Sequence, residues 1–166
     1  MSNIEISAEL VPGVLGRLVE MHALYYAREW GFGPFFESKV AREVGEFALS
    51  LPRADSQIWH ARRDGRVVGA IAIDGHAASE AGAHLRWFIL DDDARGTGLG
   101  AALLDEAVAF SRESGFESLY LWTFEGLHTA RRLYEARGFR LALALDAESW
   151  GVKVREQKFV LNLSNS

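Results

Sequence analysis

The sequence predicts an α/β fold with a mixed sheet, in the order β-α-α-β-β-β-α-β-α-β-β, and three observations carry this prediction. First, the chain has 166 residues, of which 49% are hydrophobic, so we expect one domain over residues 1–166 with a buried core. Second, Asp64-Gly65 separates two strand-like runs, which is a strong signal for a β-hairpin. Third, the apolar run Leu85–Leu90 leads through a glycine-rich turn into helical periodicity, which indicates a strand–loop–helix unit.

The N-terminal part of the chain predicts one strand, two helices and the hairpin. Ile4 and Ile6 alternate with polar residues, as in a short strand. After Pro12, a residue suited to the first turn of a helix, apolar residues recur every three or four positions until Gly31. The other predicted elements are a second helix, with Pro52 beyond its end, and the two hairpin strands: Phe35–Leu49, Ile58–Arg63 and Arg66–Asp74.

The C-terminal part predicts an alternation of strands and helices. A loop spans Gly75–Gly82, the central strand and its turn follow, and the helix after that turn ends near Gly115. A further helix ends at Gly138, because glycine commonly terminates helices. The central strand, its helix and the next strand should form a parallel, right-handed unit. The remaining predicted elements are one strand, that further helix and two final strands: Leu119–Thr123, Leu127–Arg137, Phe139–Leu145 and Lys158–Leu163.

Composition excludes several classes of function. The chain has no cysteine, which removes disulfides, thiolate metal sites and an acyl-cysteine intermediate. Its net charge of −5 argues against general nucleic-acid binding, and the five histidines show no spacing typical of metal ligands. We therefore expect no metal and no nucleic-acid partner. No twenty-residue apolar stretch and no charged-then-apolar leader are present, so we expect a cytoplasmic protein with no membrane partner.

The turn between Asp91 and Gly100 predicts an anion site. Gly96, Gly98 and Gly100 lie between a buried strand and the start of a helix, where backbone N–H groups are free and no Cβ blocks a close approach. Arg95 adds a positive charge with forked donors. These features favour a phosphate or pyrophosphate ligand, although a plain tight turn would give the same glycines.

The same glycines leave a second cofactor class open. The segment G-T-G-L-G-A fits the dinucleotide fingerprint G-x-G-x-x-A, so a nicotinamide or flavin oxidoreductase stays an alternative. A dinucleotide fold normally places this loop after its first strand, whereas here three or four strands precede it. The phosphate-binding P-loop is excluded, because no Lys-Ser/Thr pair follows the last glycine.

Two motifs resemble those of the GNAT N-acetyltransferases. The segment R-G-T-G-L-G from Arg95 is similar to that family's acyl-CoA-binding motif, Q/R-x-x-G-x-G/A. The segment Leu127–Phe139 is similar to the family's last helix and turn, N-x-x-A-x-x-L-Y-x-x-x-G-F, with Leu127 where the family usually has Asn. The positions that match are Ala130, Leu133, Tyr134, Gly138 and Phe139. The closing segment, Trp150–Phe159, resembles the acetyltransferase half of bacterial MarR–acetyltransferase fusions.

The resemblance implies the GNAT fold and direct transfer of an acetyl group from acetyl-CoA to a primary amine. In the family, backbone N–H groups of the glycine loop hold the pyrophosphate, and the preceding strand edge pairs with the pantetheine amides. A backbone N–H on that strand can also stabilise the oxyanion of the tetrahedral intermediate. The cofactor-binding residues implied are Phe88, Ile89, Leu90, Arg95, Gly96, Thr97, Gly98, Leu99, Gly100, Ala101, Leu127 and Tyr134.

The resemblance also implies catalytic residues. Tyr134 lies where the family has the tyrosine that protonates the leaving thiolate, and a phenol stays protonated at neutral pH. The general base is not evident, because Trp122 and Thr123 stand where several members have a glutamate. Glu125 and His84 are candidates for it, as are two residues of the first helix named below; loss of the amine proton to water is the other route.

The acceptor site is expected on the first helix. The family usually shapes its acceptor pocket there, which implies substrate contacts by His22, Tyr25, Tyr26, Glu29 and Trp30, with His22 and Glu29 as the further base candidates. The acceptor is a small-molecule or protein amine, and a homodimer stays open because dimers are common in the family. The rival from another class is a non-catalytic acyl-CoA-binding or interaction module that kept the fold.

Overall fold

Within residues 3–78 and 82–164, which the computed structural model describes, the chain forms seven strands and four helices of nine or more residues. The strands are β1 (Ile4–Ser7), β2 (Gln57–Arg63), β3 (Arg66–Asp74), β4 (Ala83–Leu90), β5 (Ser118–Phe124), β6 (Arg140–Ala147) and β7 (Val154–Asn162). The helices are α1 (Val14–Trp30), α2 (Pro34–Leu49), α3 (Leu99–Glu113) and α4 (His128–Ala136). This order confirms the mixed α/β fold predicted from the sequence.

All seven strands form one sheet in the order β1-β2-β3-β4-β5-β7-β6. Every neighbouring pair is antiparallel except β4 and β5, which are parallel and joined through α3 as predicted. The last strand, β7, inserts between β5 and β6, so β6 forms one edge of the sheet. This insertion brings residues of β7 beside β5 at the centre of the molecule.

Helices cover both faces of the sheet. On the face covered by α1 and α2, called the α1–α2 face, the buried core includes Leu18, Phe36, Val40, Ile89 and Phe124. On the opposite face, called the α3–α4 face, the core includes Leu103, Leu104, Leu119, Leu121 and Phe159. The apolar spacing of each helix therefore fixes which of its sides packs on the sheet.

Two local signals in the sequence specify their structures directly. Asp64 and Gly65 have φ angles of 53° and 77°, so the turn between β2 and β3 has the left-handed pair of residues that Asp-Gly favours. Gly31 ends α1 with a φ of 71°, and its backbone N–H donates to the carbonyl oxygen of Ala27. At Gly65 and at Gly31 the positive φ disfavours a residue with a Cβ.

Strand β4 contains a bulge that changes the direction of its side chains. Ala70 and Ala72 of β3 pair with Ile89 and Arg86 of β4. One residue therefore separates the two paired positions on β3, whereas two residues separate them on β4. The extra residue falls at Trp87, whose φ is 51°. Before the bulge Leu85 packs on the α3–α4 face, whereas after it Ile89 packs on the α1–α2 face.

Some boundaries differ from those predicted. Strand β7 begins at Val154, four positions before the predicted Lys158, because β5 and β6 pair with it on both sides and support a polar segment without apolar alternation. A short 3₁₀ helix, Asp92–Ala94, lies inside the predicted turn. Residues 79–81 of the predicted loop Gly75–Gly82 lie outside the described residues. No helix in the described ranges has the length and apolar character needed to cross a bilayer.

Candidate active site

A cavity of about 730 Å³ opens between β4 and β5. The two strands pair only at Ala83 with Leu119 and at His84 with Tyr120, and beyond these pairs they diverge. The edge of β4 that faces β5 is therefore without a strand partner from Leu85 onward. Because residues from both faces line it, the cavity crosses the sheet; they include Tyr25, Phe36 and Phe124 from one face and Leu121, Leu133 and Tyr134 from the other.

The glycine loop lies at the start of α3, next to Arg95 at the cavity wall. Gly96 and Gly98 have φ angles of 75° and 86°, and a Cβ added at either would meet nothing within 4 Å. The range Gly96–Gly98 is exposed, the N-cap residue Gly98 has no side chain to cap the helix, and the hydroxyl of Thr97 accepts a long hydrogen bond of 3.4 Å from the N–H of Leu99. The exposed glycine loop thus lies at the positive end of the helix, where the first-turn N–H groups have no partner within the helix.

Close packing places α3 against β4. A Cβ added at Gly100 would lie 3.1 Å from Cδ1 of both Leu90 and Leu133. Thr97 stabilises the turn, since its hydroxyl donates to the carbonyl oxygen of Ala94 at 2.5 Å. The range Gly96–Ala101 does not line the cavity; it forms the surface beside Arg95. The arrangement fits a ligand with a phosphate on the loop and a long body in the cavity.

Arg95 faces back toward the first helix. Its guanidinium lies over the ring of Tyr25 at 4.6 Å, and Nη2 donates to the carbonyl oxygen of Leu90 at 3.2 Å. Asp92 accepts a long hydrogen bond of 3.4 Å from Nε. A bound phosphate would compete with these weak contacts of the exposed guanidinium.

Tyr134 of α4 is buried at the α3–α4 side of the cavity and is 5% exposed. Its ring lies against Phe88 and Phe139, with centroid distances of 6.1 Å and 5.7 Å. Burial raises the pKa of its phenol well above the usual value, so the hydroxyl carries its proton at neutral pH. A buried, protonated phenol can donate to a developing negative charge.

The predicted base candidates differ in position. His84 lines the cavity and stacks on Tyr120 at 4.5 Å, and burial, with Arg86 nearby, lowers its pKa to about 3. His22 also lines the cavity, and burial lowers its pKa to about 4. Both imidazoles are therefore neutral at pH 7. Glu125 is exposed and does not line the cavity, so the structure does not bring it to the site.

The predicted acceptor cluster on α1 is divided. His22, Tyr25 and Tyr26 line the cavity. Nδ1 of His22 lies 2.8 Å from the carbonyl oxygen of Leu18; since a carbonyl only accepts, Nδ1 carries the proton and Nε2 keeps its lone pair. Burial raises the pKa of Tyr26 above its usual value.

The other two residues of the cluster lie elsewhere. Glu29 is exposed on a shallow groove and pairs with Arg28 at 3.0 Å. Trp30 does not line the cavity; it packs edge-on against Phe124 at 4.8 Å and lies against Gly126, both of which are lining residues. Neither side chain is placed to contact a ligand in the cavity between β4 and β5.

Four charged lining residues were not singled out from the sequence: Lys39, Glu43, Arg86 and Glu156. Glu43 accepts from Lys39 at 2.7 Å and from Arg86 at 2.9 Å. Helical and strand periodicity could indicate that these side chains share a face, but only the insertion of β7 places Glu156 at this cavity. No three His, Asp or Glu residues in the described ranges are grouped as metal ligands.

The parallel strands β4 and β5 diverge beside the N-terminus of α3, and the buried Tyr134 lines the opening between them. The sequence model of the acetyltransferase (GNAT) family matches residues 16–139. The chain therefore belongs to the GNAT acetyltransferase family, as the two motifs implied.

Individual proteins agree with this assignment. Human N-acetylaspartate synthetase is 31% identical over 120 residues, which cover 66% of this chain and 39% of that protein. A GNAT-family structure from Desulfovibrio desulfuricans has a TM-score of 0.77 and 21% identity, covering 98% of this chain and 100% of that one. The structure of yncA from Salmonella typhimurium, solved with its cofactor acetyl-CoA, has a TM-score of 0.73 and 12% identity, covering 98% and 95%.

The extent of these matches differs between the two kinds of relative. The chain spans between 39% and 61% of the length of the curated relatives it matches. The solved structures, by contrast, match over nearly their whole length, and at these low identities they show the fold.

Proposed function

We propose that this protein transfers an acetyl group from acetyl-CoA to a primary amine of a small molecule or a protein. The observation that carries the proposal is the cavity of about 730 Å³ between β4 and β5. The buried phenol of Tyr134 forms part of its wall. Family membership supports the same reaction class.

The residues present fit acetyl-CoA. Gly96 and Gly98 leave the N-terminus of α3 open to a pyrophosphate, and Arg95 can add its charge by exchanging its long contact with Asp92 for the phosphate. The unpaired edge of β4 at Phe88, Ile89 and Leu90 presents backbone groups that can pair with amides of an extended ligand, as an added strand would. When bound, acetyl-CoA supplies an acetyl group activated as a thioester.

The chain's own groups provide the proton to the leaving group. Tyr134 is protonated at neutral pH because it is buried, and it lies beside Phe88 at the edge of β4. We infer that its hydroxyl donates to the sulfur as the carbon–sulfur bond breaks. The amine must be neutral before it attacks the thioester. Burial lowers the pKa of His22 to about 4 and that of His84 to about 3, so both imidazoles are weak bases for an ammonium ion, and we infer that its proton leaves to water.

The experiment that tests the function has two parts. Calorimetric titration with acetyl-CoA, CoA and NADH should show micromolar binding of acetyl-CoA and no response to NADH. A thiol-release assay over a panel of primary amines should then show turnover that depends on Tyr134. Binding without turnover of any amine would favour the non-catalytic acyl-CoA-binding module, and NADH binding in place of acetyl-CoA would favour the oxidoreductase.

A further inference from the structure

Glu156 of β7 is a buried carboxylate at the cavity with no cation beside it. It is 5% exposed and lines the cavity. Its oxygens accept hydrogen bonds from the backbone N–H and the hydroxyl of Ser149, each at 3.0 Å. No lysine, arginine or histidine of residues 3–78 and 82–164 forms an ion pair with it.

The walls around Glu156 are aromatic and aliphatic. It lies opposite Phe124 on β5 and opposite Leu145 on β6, and residues directly opposite in antiparallel strands share a face. The ring of Trp150 packs against Phe124 at 5.6 Å, and Leu145 and Trp150 also line the cavity. A carboxylate flanked by aromatic rings is a favourable environment for an organic cation.

Lys158, the lysine of β7, contacts Tyr120 and not Glu156. Lys158 shares a face with Glu156, since both follow the alternation of β7, but its Nζ lies over the ring of Tyr120 at 5.0 Å. Lys158 is also absent from the cavity lining. The two hydrogen bonds from Ser149 leave the negative charge of Glu156 without a cationic partner, and a cationic ligand would supply one.

The other charges of the cavity compensate one another. Glu43 pairs with Lys39 and Arg86, and Nη1 of Arg86 lies 3.5 Å from Asp74. The guanidinium of Arg95 lies over Tyr25 beside the glycine loop, where the proposed cofactor phosphate would use it. Lys39 and Arg86 are thus already paired with anions and do not offer a partner to a carboxylate on the acceptor. Glu156 is not paired with a cation and can bind an ammonium group.

We propose that Glu156 binds the acceptor as its ammonium ion, and that the acceptor is a monocationic primary amine whose α-carbon carries no carboxylate. The inference deepens the proposed function by naming the acceptor class. It predicts that an amine is preferred over the amino acid of the same carbon skeleton, because the zwitterion would bury its carboxylate without a partner.

The test compares three probes that share one skeleton. The intact protein, saturated with CoA to block transfer, is titrated by calorimetry with 2-phenylethylamine, phenylalanine and 2-phenylethanol at pH 7.5. The expected result is that 2-phenylethylamine binds at least tenfold more tightly than either of the others. Equal affinity for phenylalanine, or no binding of 2-phenylethylamine, overturns the proposal.

Variants assign the effect to the carboxylate. Glu156→Gln should weaken 2-phenylethylamine at least tenfold and leave 2-phenylethanol unchanged, because the alcohol has no charge to lose. Glu113→Gln, which removes the same charge from an exposed position at the end of α3, should change neither. Unaltered acetyl-CoA affinity and thermal midpoint show that Glu156→Gln is folded; a folded variant that keeps full amine affinity overturns the proposal.

The outcomes separate this inference from the proposed function. Turnover of amines that is insensitive to Glu156→Gln would remove the ammonium site and leave the acetyltransferase in place. Charge-dependent amine binding without any turnover would leave the ammonium site and remove the reaction. The binding assay with CoA needs no catalysis, so each proposal is read by its own measurement.

Discussion

His84 of β4 and Tyr120 of β5 stack with ring centroids 4.5 Å apart, at the last position where these two strands pair. On the N-terminal side of this pair β4 and β5 are paired, at Ala83 and Leu119, and on its C-terminal side the two strands diverge around the cavity. The bulge at Trp87 lies three residues beyond His84, on the strand that leaves the pairing. The stacked pair thus marks the closed end of the opening in which the proposed reaction takes place.

Tyr134→Phe should bind acetyl-CoA with affinity within about twofold of the wild type and lose roughly 10²-fold in turnover, since only the proton donor is removed. Thiol release under saturating acetyl-CoA measures the turnover, and calorimetry measures the affinity. Tyr120→Phe is the matched control, because Tyr120 is not a cavity-lining residue, and it should retain turnover. Full activity of Tyr134→Phe would remove this tyrosine from the mechanism.

Gly98→Ala should weaken acetyl-CoA binding by about tenfold. The added Cβ stands on the open surface of the glycine loop, and the φ of 86° also strains any residue with a side chain by about 1 kcal/mol. Gly115→Ala carries a comparable strain at the other end of α3, where φ is 80° and the surroundings are open. Both variants should lose similar unfolding free energy, and an equal loss of acetyl-CoA affinity in both would contradict the phosphate site.

Glu43→Gln should shift the cavity's preference toward acceptors that carry a carboxylate. The substitution removes the anion that pairs with Lys39 and Arg86, so a positive charge is released for a ligand. In the calorimetric comparison, the ratio of phenylalanine affinity to 2-phenylethylamine affinity should rise about tenfold. An unchanged ratio would show that the Lys39–Glu43–Arg86 group does not face the acceptor.

The protein should lose stability between pH 6.5 and about pH 4. Burial lowers the pKa of His22 to about 4 and that of His84 to about 3, whereas both titrate near 6.5 when unfolded. In that interval the unfolded chain binds protons that the folded chain does not, so the free energy of unfolding falls as pH falls. Each histidine contributes a slope of up to about 1.4 kcal/mol per pH unit.

Urea unfolding at pH 7, 6 and 5 measures this slope. His22→Gln should reduce the slope to the part that His84 contributes, because glutamine cannot be protonated, while its amide can still donate to the carbonyl of Leu18. His128→Gln, at an exposed position on α4, is the control and should leave the slope as it is. A wild-type protein equally stable at pH 5 and pH 7 would contradict the buried, neutral state of His22.

Sequence periodicity was informative where the structure is local. The Asp64-Gly65 turn, the helix end at Gly31 and the strand–loop–helix unit through Arg95 depend on residues a few positions apart, so their signals are contained in short windows. The charged residues of the cavity were missed for the opposite reason. Glu43, Arg86 and Glu156 belong to three elements far apart in sequence, and nothing in any one window indicates that they meet.

The sequence by itself determined the order of elements, the glycine loop and the position of Tyr134 on the last helix, because backbone propensity and side-chain spacing act over one or two turns. Only the tertiary structure decided which polar groups line the cavity. Glu156 reaches it because β7 inserts between β5 and β6, while Glu125 and Trp30 do not line it. The physical reason is that strand order and the bulge at Trp87 depend on packing between distant segments.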